Sequence, residues 1–393
     1  MSAILDKLLK GQNVEWKTLG DVSVLYGGLT GKNKADFENG NAKYVSYKNI
    51  FANLAVDLQN LGTVKVNENE KQHFIKHGDI LFTGSSETQA EAGISSVVTE
   101  HPIEKIYLNS FSFGLRFNDD VELMPEFTKF LFRGDLMRTQ IARTASGVTR
   151  FNISKERFKK IQVPIPPLDV QAEIIRILDA FTAVTAELTA ELTAELNMRE
   201  KQYQYYRDKL LTFSDNEIIW KSLGDVCSLG VGQAPTSNEE GKFIFMNAGT
   251  TPASYLSIYN TEGDTITTPS RGQGGIGFVA YQNDKFWCGP LCYRIKSIDK
   301  SVMTKYLYYY LSKNSMQIIA LANMVGVPAL NRKELITLKL PIPPLDEQKR
   351  IVEILDKFET LTHSITEGLP KEITLREQQY EYYREQLIDF PKN

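Results

Sequence analysis

Apolar residues recur at three- and four-residue steps in two places. Ile174, Ile177, Leu178, Phe181, Val184 or Thr185, and Leu188 form one narrow stripe, mirrored by Ile351, Ile354, Leu355, Phe358, Leu361 and Ile365. Each stripe comes after a proline pair, Pro166-Pro167 or Pro343-Pro344, that holds the chain extended and cannot continue a helix. Asp169 and Asp346 then stand where an N-cap belongs, which predicts two long helices starting there. The segments ahead of the helices read as mixed α and β. Strands are predicted at Tyr44–Tyr47, Ile80–Thr83 and Phe111–Phe117, and at Phe243–Met246, Gly277–Tyr281 and Cys292–Ile295. Helical patterns come next at Glu126–Phe132 and Thr304–Leu311.

The two halves are copies. PIPPLDVQAEIIRILDAF at 164–181 returns as PIPPLDEQKRIVEILDKF at 341–358, and REKQYQYYRDKLLTF at 199–213 returns as REQQYEYYREQLIDF at 376–390. Both pairs share an offset of 177, with 12 of 18 and 9 of 15 positions identical. WKTLGDV at Trp16–Val22 returns at Trp220–Val226 with an offset of 204, so the inserts differ in length by 27 residues. A scaffold repeated around two divergent inserts is the expectation. A narrow stripe on a long helix requires a partner helix, and the other copy can supply it as an intramolecular coiled coil of approximate twofold symmetry. Leu5-Asp6-Lys7-Leu8-Leu9 also resembles Arg207-Asp208-Lys209-Leu210-Leu211 and precedes Trp16 much as the latter precedes Trp220. The two termini should therefore lie together, in a circular arrangement.

Thr185–Leu196 is three tetrapeptides, TAELTAELTAEL. Each unit lengthens a helix by about 6 Å and rotates the residues beyond it by roughly 40°. Such a run can act as a ruler, or merely as helix-forming filler. The second copy has only an echo at 362–369, with Gly368 and Pro370 placed to interrupt the helix. The tyrosine clusters Tyr203, Tyr205, Tyr206 and Tyr380, Tyr382, Tyr383 lie in acidic helices and read as protein interface rather than base-stacking platforms. Tyr203, Tyr206, Tyr380 and Tyr383 are the candidate partner-binding residues.

Composition excludes disorder, since 42% of residues are apolar and 24% charged. No apolar run suits a membrane span or an export signal, and three cysteines make no disulfide framework, so the cytoplasm is expected. A net charge of −3 hides an uneven distribution. Residues 16–163 and 220–340 are net +2 and +4, while the helical segments 164–213 and 341–393 are net −3 and −4. The stretch 127–163 alone is net +7, and its counterpart 304–340 is net +4. Charge runs are often only solvated faces, but recurrence at one place in both copies favours phosphate binding.

Within the inserts, Gly147–Asn152 corresponds to Gly326–Asn331, and Gly78–Thr83 to Gly263–Thr268. They part in polar loops, Ser85–Gln89 against Ser270–Gln273, whose side chains could reach base edges in the major groove. Candidate DNA contacts are Lys48, Ser85, Ser86, Arg143, Arg150 and Lys155 in the first insert, and Arg271, Gln273, Lys305 and Lys333 in the second. Catalytic motifs fail on context. Gly272–Gly277 matches GxGxxG but leads into a strand-like segment and reads as a tight loop, and neither His73/His77 nor Cys288/Cys292 has further metal ligands nearby. No P-loop, HExxH or amino-methyltransferase Asp/Asn-Pro-Pro-aromatic segment is present.

Taken together, the doubled PIPPLDxQ and QYxYYR segments, the TAEL run and the divergent inserts resemble the DNA-specificity subunit of type I restriction-modification systems, over essentially the whole chain. The resemblance implies an α+β fold with two mixed α/β target recognition domains joined by long helices in an intramolecular antiparallel coiled coil. The expected segments are an N-terminal helix at 1–15, recognition domains at 16–163 and 214–340, and helical spacers at 164–213 and 341–393. It implies a non-catalytic chain that binds a split, asymmetric site in double-stranded DNA and docks two methyltransferase subunits and the restriction subunits, with no membrane role. S-adenosylmethionine would bind the methyltransferase partner, and ATP and Mg the motor and nuclease partner, leaving no cofactor in this chain. TAEL number would set the spacer. The competing classes are a self-contained DNA methyltransferase or nuclease, and a coiled-coil adaptor without a DNA role.

Overall fold

The computed structural model describes residues 3–214, 218–364 and 367–391. Contacts divide the chain into two compact units. One comprises residues up to Thr189 together with those from Thr374 onward, and the other is Ala190–Ile373.

The first unit opens with α1 (Ala3–Leu9), β1 (Glu15–Thr18), α2 (Leu19–Val22), β2 (Ser23–Gly27), β3 (Ala42–Val45), α3 (Tyr47–Ala52) and β4 (Gly62–Val64). It continues with β5 (Ile80–Thr83), β6 (Ser85–Ser86), β7 (Ser95–Val97), β8 (Ile106–Leu108) and β9 (Ser112–Phe117). Then come α4 (Pro125–Leu131), α5 (Asp135–Ala142), β10 (Ala145–Ser146), β11 (Phe151–Ile153), α6 (Lys155–Phe158) and β12 (Gln162–Ile165). An antiparallel sheet β2-β9-β5-β7 forms the centre, flanked by β4-β3-β8 and by the small sheet β10-β11-β6. Its core is aromatic: Phe82 stacks on Phe113 at 5.2 Å and meets Phe158 and Phe132 edge-on at 5.0 and 5.7 Å. Entry and exit strands pair in a two-stranded neck, with Trp16 opposite Pro164.

The long helix α7 (Leu168–Leu210) leads from the first unit into the second. The second unit repeats the plan with β13 (Ile219–Ser222), α8 (Leu223–Val226), β14 (Cys227–Val231), β15 (Phe243–Met246), β16 (Ser254–Leu256), β17 (Thr265–Pro269), β18 (Ala280–Gln282), β19 (Trp287–Cys288) and β20 (Cys292–Ser297). After these come α9 (Thr304–Lys313), α10 (Ser315–Ala320), β21 (Ala322–Asn323), β22 (Ala329–Leu330), α11 (Arg332–Leu335), β23 (Lys339–Ile342), α12 (Leu345–His363) and α13 (Gly368–Ile388). The sheet orders β14-β20-β17-β18 and β16-β15-β19 match their counterparts, and the neck β13-β23 sets Trp220 opposite Pro341. Within the described residues no helix is long and apolar enough to cross a membrane.

Several details depart from the sequence expectation, among them the strand expected at Gly277–Tyr281, which forms only at Ala280–Gln282. Helices α7 and α12 start at Leu168 and Leu345, so Asp169 and Asp346 lie in the first turn and favour the helix dipole instead of capping it; Pro344 holds the N-cap position of α12. Tyr47 begins α3 instead of ending a strand, because Ser46 caps the helix by accepting the N–H of Asn49. The apolar stripes divide as well. Ile174 and Leu178, like Ile351 and Leu355, are buried in the core of the adjoining recognition fold, whereas Val184 and Leu188 remain exposed, and Ile365 falls outside the described residues.

The interruption expected near Gly368 is present, since α12 ends at His363 and α13 begins at Gly368. Gly368 has φ +78°, and a Cβ there would lie 2.5 Å from the Thr360 carbonyl oxygen, so only glycine fits. Helix pairing is antiparallel in each unit. In the first, Phe181 stacks on Tyr383 at 5.5 Å and the Thr182 and Tyr380 hydroxyls lie 3.0 Å apart. In the second, Tyr206 stacks on Phe358 at 5.5 Å and Tyr203 meets His363 at 5.6 Å. The termini meet as expected: the Trp16 indole N–H donates to the Pro391 carbonyl at 3.0 Å, and Leu5, Leu9, Leu387, Ile388 and Phe390 share one core.

Candidate nucleic-acid interface

In the first unit, most of the sequence candidates converge on one small sheet. β6 pairs with β11, setting Ser85 opposite Asn152 and Ser86 opposite Phe151, and β10-β11 is a hairpin whose turn carries Arg150. Arg143 caps the C-terminus of α5 just before the hairpin, and Lys155 opens α6 just after it, with its ammonium 5.9 Å from the Phe113 ring. The Tyr47 hydroxyl donates to the Ser85 carbonyl at 2.9 Å, so α3, the helix that also carries Lys48, is held to the same sheet. Lys48, Arg143, Arg150 and Lys155 are all exposed. Arg157 is exposed too and donates to the Arg143 carbonyl, fixing α6 against the end of α5.

Ser85 and Ser86 do not share that exposure. Both are buried in the ladder, and the Ser86 hydroxyl is 3.3 Å from Glu91, so they hold the sheet while Glu87, Thr88 and Gln89 form its exposed continuation.

The net charge of the 127–163 stretch also overstates its surface. Arg133 is half-buried and donates to the carbonyls of Ser95, Ile50, Phe51 and Asn53, while Arg138 donates to those of Gly93, Ala90 and Ala92. Burial lowers the pKa of each guanidinium to about 10. Lys129 pairs with Asp179 of α7 at 2.8 Å. These three cations build the fold, and of those left facing water Arg143, Arg150, Lys155 and Arg157 flank the hairpin.

The second unit reproduces the hairpin. β21 and β22 pair, Arg271 bridges to Ala329, and the N–H of Gly272 donates to the Pro328 carbonyl at 3.1 Å. Arg271, Gln273 and Lys333 are exposed around it, and Gly272–Gly277 is a run of turns ahead of β18, as the sequence indicates. Lys305 lies elsewhere. In the first turn of α9 it pairs with Asp356 of α12 at 2.7 Å and sits 5.4 Å from the Tyr281 ring, so it ties the recognition fold to the helix. Asp179 and Asp356 are equivalent positions of the duplicated ILDxF segment, each pairing with a lysine of the first helix after the central sheet.

Other anchors are silent in the sequence. Buried Asp79 accepts from Arg116 at 2.7 and 2.5 Å and from the Tyr26 hydroxyl at 2.6 Å. Gln171 and Gln348 are fully buried and hold the start of α4 and α9. Only their recurrence in PIPPLDxQ could have drawn attention to the glutamines.

The tyrosines divide in function. Tyr206 and Tyr383 stack on phenylalanines of the paired helix, Tyr380 meets Thr182, and Tyr203 packs on Phe358 and His363, with its pKa raised to about 12 chiefly by burial. Tyr205 and Tyr382 lie edge-on against Tyr206 and Tyr383 and are mostly exposed. Each unit therefore presents an outward aromatic side chain on its helix, Tyr382 in the first and Tyr205 in the second.

Similarity to known proteins respects the same division. A specificity subunit of the EcoR124I/EcoR124II type I restriction enzyme of Escherichia coli is 40% identical over 61% of this chain and 65% of that subunit. A putative type I restriction enzyme specificity subunit of Haemophilus influenzae is 32% identical over 98% of both chains. A solved chain from work on complex assembly and conformational transition of the type I R-M system superposes with a TM-score of 0.68 at 19% identity, covering 96% of this chain and 98% of that one, which bears on fold alone. The family model described as "Type I restriction modification DNA specificity domain" matches twice, at residues 12–198 and 217–375. With each match containing one recognition fold, one hairpin and one PIPPLDxQ helix start, the chain belongs to the type I restriction modification DNA specificity family.

Proposed function

We propose that the chain is the non-catalytic specificity subunit of a cytoplasmic type I restriction-modification complex, each recognition fold reading one half of a split, asymmetric target in double-stranded DNA. The observation that carries this is the recurrence of a hairpin ringed by exposed cations in both units, Arg143, Arg150 and Lys155 in one and Arg271 and Lys333 in the other. Cations at such a rim hold phosphate without regard to sequence, while polar groups beside them, Thr88, Gln89 and Gln273, suit base edges. The different loops of the two units account for an asymmetric target.

The helices are the docking surface for two methyltransferase subunits, through the exposed aromatic edges of Tyr205 and Tyr382, and restriction subunits join the same assembly. The five segments 1–15, 16–163, 164–213, 214–340 and 341–393 describe its working parts. S-adenosylmethionine belongs to the methyltransferase partner, and ATP with Mg to the restriction partner. TAEL repeats at 185–196 lie wholly inside α7, where each added unit lengthens one continuous helix by about 6 Å, so repeat number sets half-site spacing.

The test is the methylation pattern of genomic DNA from cells carrying this chain and its methyltransferase, compared with cells lacking the chain. A new split motif methylated on both strands is the expected result. Its absence, with both proteins present and associated, rejects the reading. Gln273→Ala should relax one half-site only, whereas Arg271→Ala should weaken binding to all DNA alike.

A further inference from the structure

We propose that the β21-β22 hairpin of the second unit is an apolar wedge that inserts aliphatic side chains into a base step of duplex DNA. The proposal rests on the DNA-reading function above and specifies how that surface engages its ligand. The tip, Met324-Val325-Gly326-Val327-Pro328, has no charge and no side-chain hydrogen-bonding group, and Met324, Val325 and Val327 are 56%, 87% and 68% exposed. Water contact on three neighbouring aliphatic side chains is unfavourable in proportion to the apolar area left uncovered.

The tip is also rigid. The Asn323 side chain accepts the Val325 N–H at 2.9 Å, Gly326 supplies a φ of +74°, and the flanking backbone is held by Gly272 N–H to Pro328 at 3.1 Å and Leu330 N–H to Ser270 at 2.9 Å. A tip fixed in this way cannot fold its valines back onto the core.

The surroundings of the tip identify its occupant. Arg271 bridges to Ala329, two residues beyond Val327, and α11 begins soon after with Arg332 and Lys333 exposed beside Glu334. An apolar protein partner would not select a cationic rim, whereas a polyanion with apolar base faces matches both the rim and the tip. Valine and methionine cannot satisfy the donors and acceptors of base edges, so lying along a groove would yield little. Between stacked bases they exchange water for an apolar face while the cations hold the flanking phosphates. The first unit carries the same device in smaller form. Its hairpin turn presents Val148, 94% exposed, next to Gly147, where a Cβ would lie 1.9 Å from the Arg150 carbonyl oxygen.

The test uses the full chain bound to its methyltransferase partner and a duplex carrying the motif found by methylation mapping. Val325→Ser with Val327→Ser should weaken binding to the intact duplex about tenfold, and the deficit should shrink to about twofold or less on a duplex already opened by a mismatch at one step of that half-site. The bend measured by fluorescence transfer between the duplex ends should fall in parallel. Equal deficits on intact and mismatched duplexes overturn the wedge. So does a deficit that deoxyuridine in place of thymidine reproduces in the unaltered protein, which would mark a thymine-methyl contact. Sequence-specific binding that the double variant leaves unchanged sinks the wedge alone; an unaltered complex with no preference for the motif sinks the DNA-reading function with it.

Discussion

Gln348 accepts the backbone N–H of Met303 at 2.9 Å, and Met303 is the N-cap residue of α9. The same amide donates to the carbonyls of Ser301 and Pro343, both at 2.8 Å, so one buried side chain joins the end of a recognition fold to the start of its helix. Gln171 does the same for Met124, Glu122 and Pro166. Replacing Gln348 by Ala leaves the Met303 N–H and two carbonyls without this partner. We expect the second unit to lose about 1–3 kcal/mol, read as a lower denaturant midpoint; an unchanged midpoint would show that the amide contributes nothing.

Asp79 is the corresponding weak point of the first unit. Its side chain is fully buried, and it anchors Arg116, Tyr26 and the backbone N–H of Lys76 together. Asp79→Ala strands a partly buried guanidinium, a change expected to remove about 3–5 kcal/mol. Urea unfolding tracked by fluorescence of Trp16, which lies in that unit, provides the measurement.

Arg133 and Arg150 should behave oppositely although both lie in the basic stretch. Arg133→Lys cannot reach the four carbonyls that the guanidinium spans, so it should lower the melting temperature and leave the salt dependence of DNA binding unchanged. Arg150→Ala should leave melting unchanged and reduce the slope of log K against log salt by about 1. Titrating both variants against duplex DNA across a range of salt concentrations separates the two roles.

Alkaline pH should unfold the second unit. Burial raises Cys227 from an ordinary value of 9.0 to about 12, and Tyr203 from 10.0 to about 12. Tyr306, Tyr308 and Tyr309 are pushed higher still by burial. Each group favours its protonated form in the fold, so its contribution is complete below the unfolded value and is lost as pH rises towards the folded one. The melting temperature should therefore fall between about pH 9 and 12, and Cys227→Ala should flatten the first part of that fall.

Local pattern made much of the architecture legible. Phe243–Met246 reads as a strand and is one, because a short apolar run bounded by polar loops has few other uses. Gly368 and Pro370 signal the helix interruption through backbone geometry alone. The charge map was less transparent. Arg133, Arg138 and Lys129 look like a nucleic-acid surface in sequence, yet their partners lie 38 to 83 positions away. Burial of a guanidinium depends on carbonyls delivered by the fold, which no local pattern records. Ser85 and Ser86 were misleading for a related reason: their neighbours suggest a polar loop, while pairing with β11 turns them into ladder residues.

In both units the neck brings entry and exit strands side by side, β1 on β12 and β13 on β23, with each tryptophan opposite a proline. Everything between those strands is attached to the helices as a cassette at a single point of the chain path. Exchange of one cassette for another of different length, as the 27-residue difference between the two inserts already illustrates, leaves the helical frame and its junctions in place. On the proposed function, replacing the material between two short strands would change one half-specificity without altering the rest of the protein.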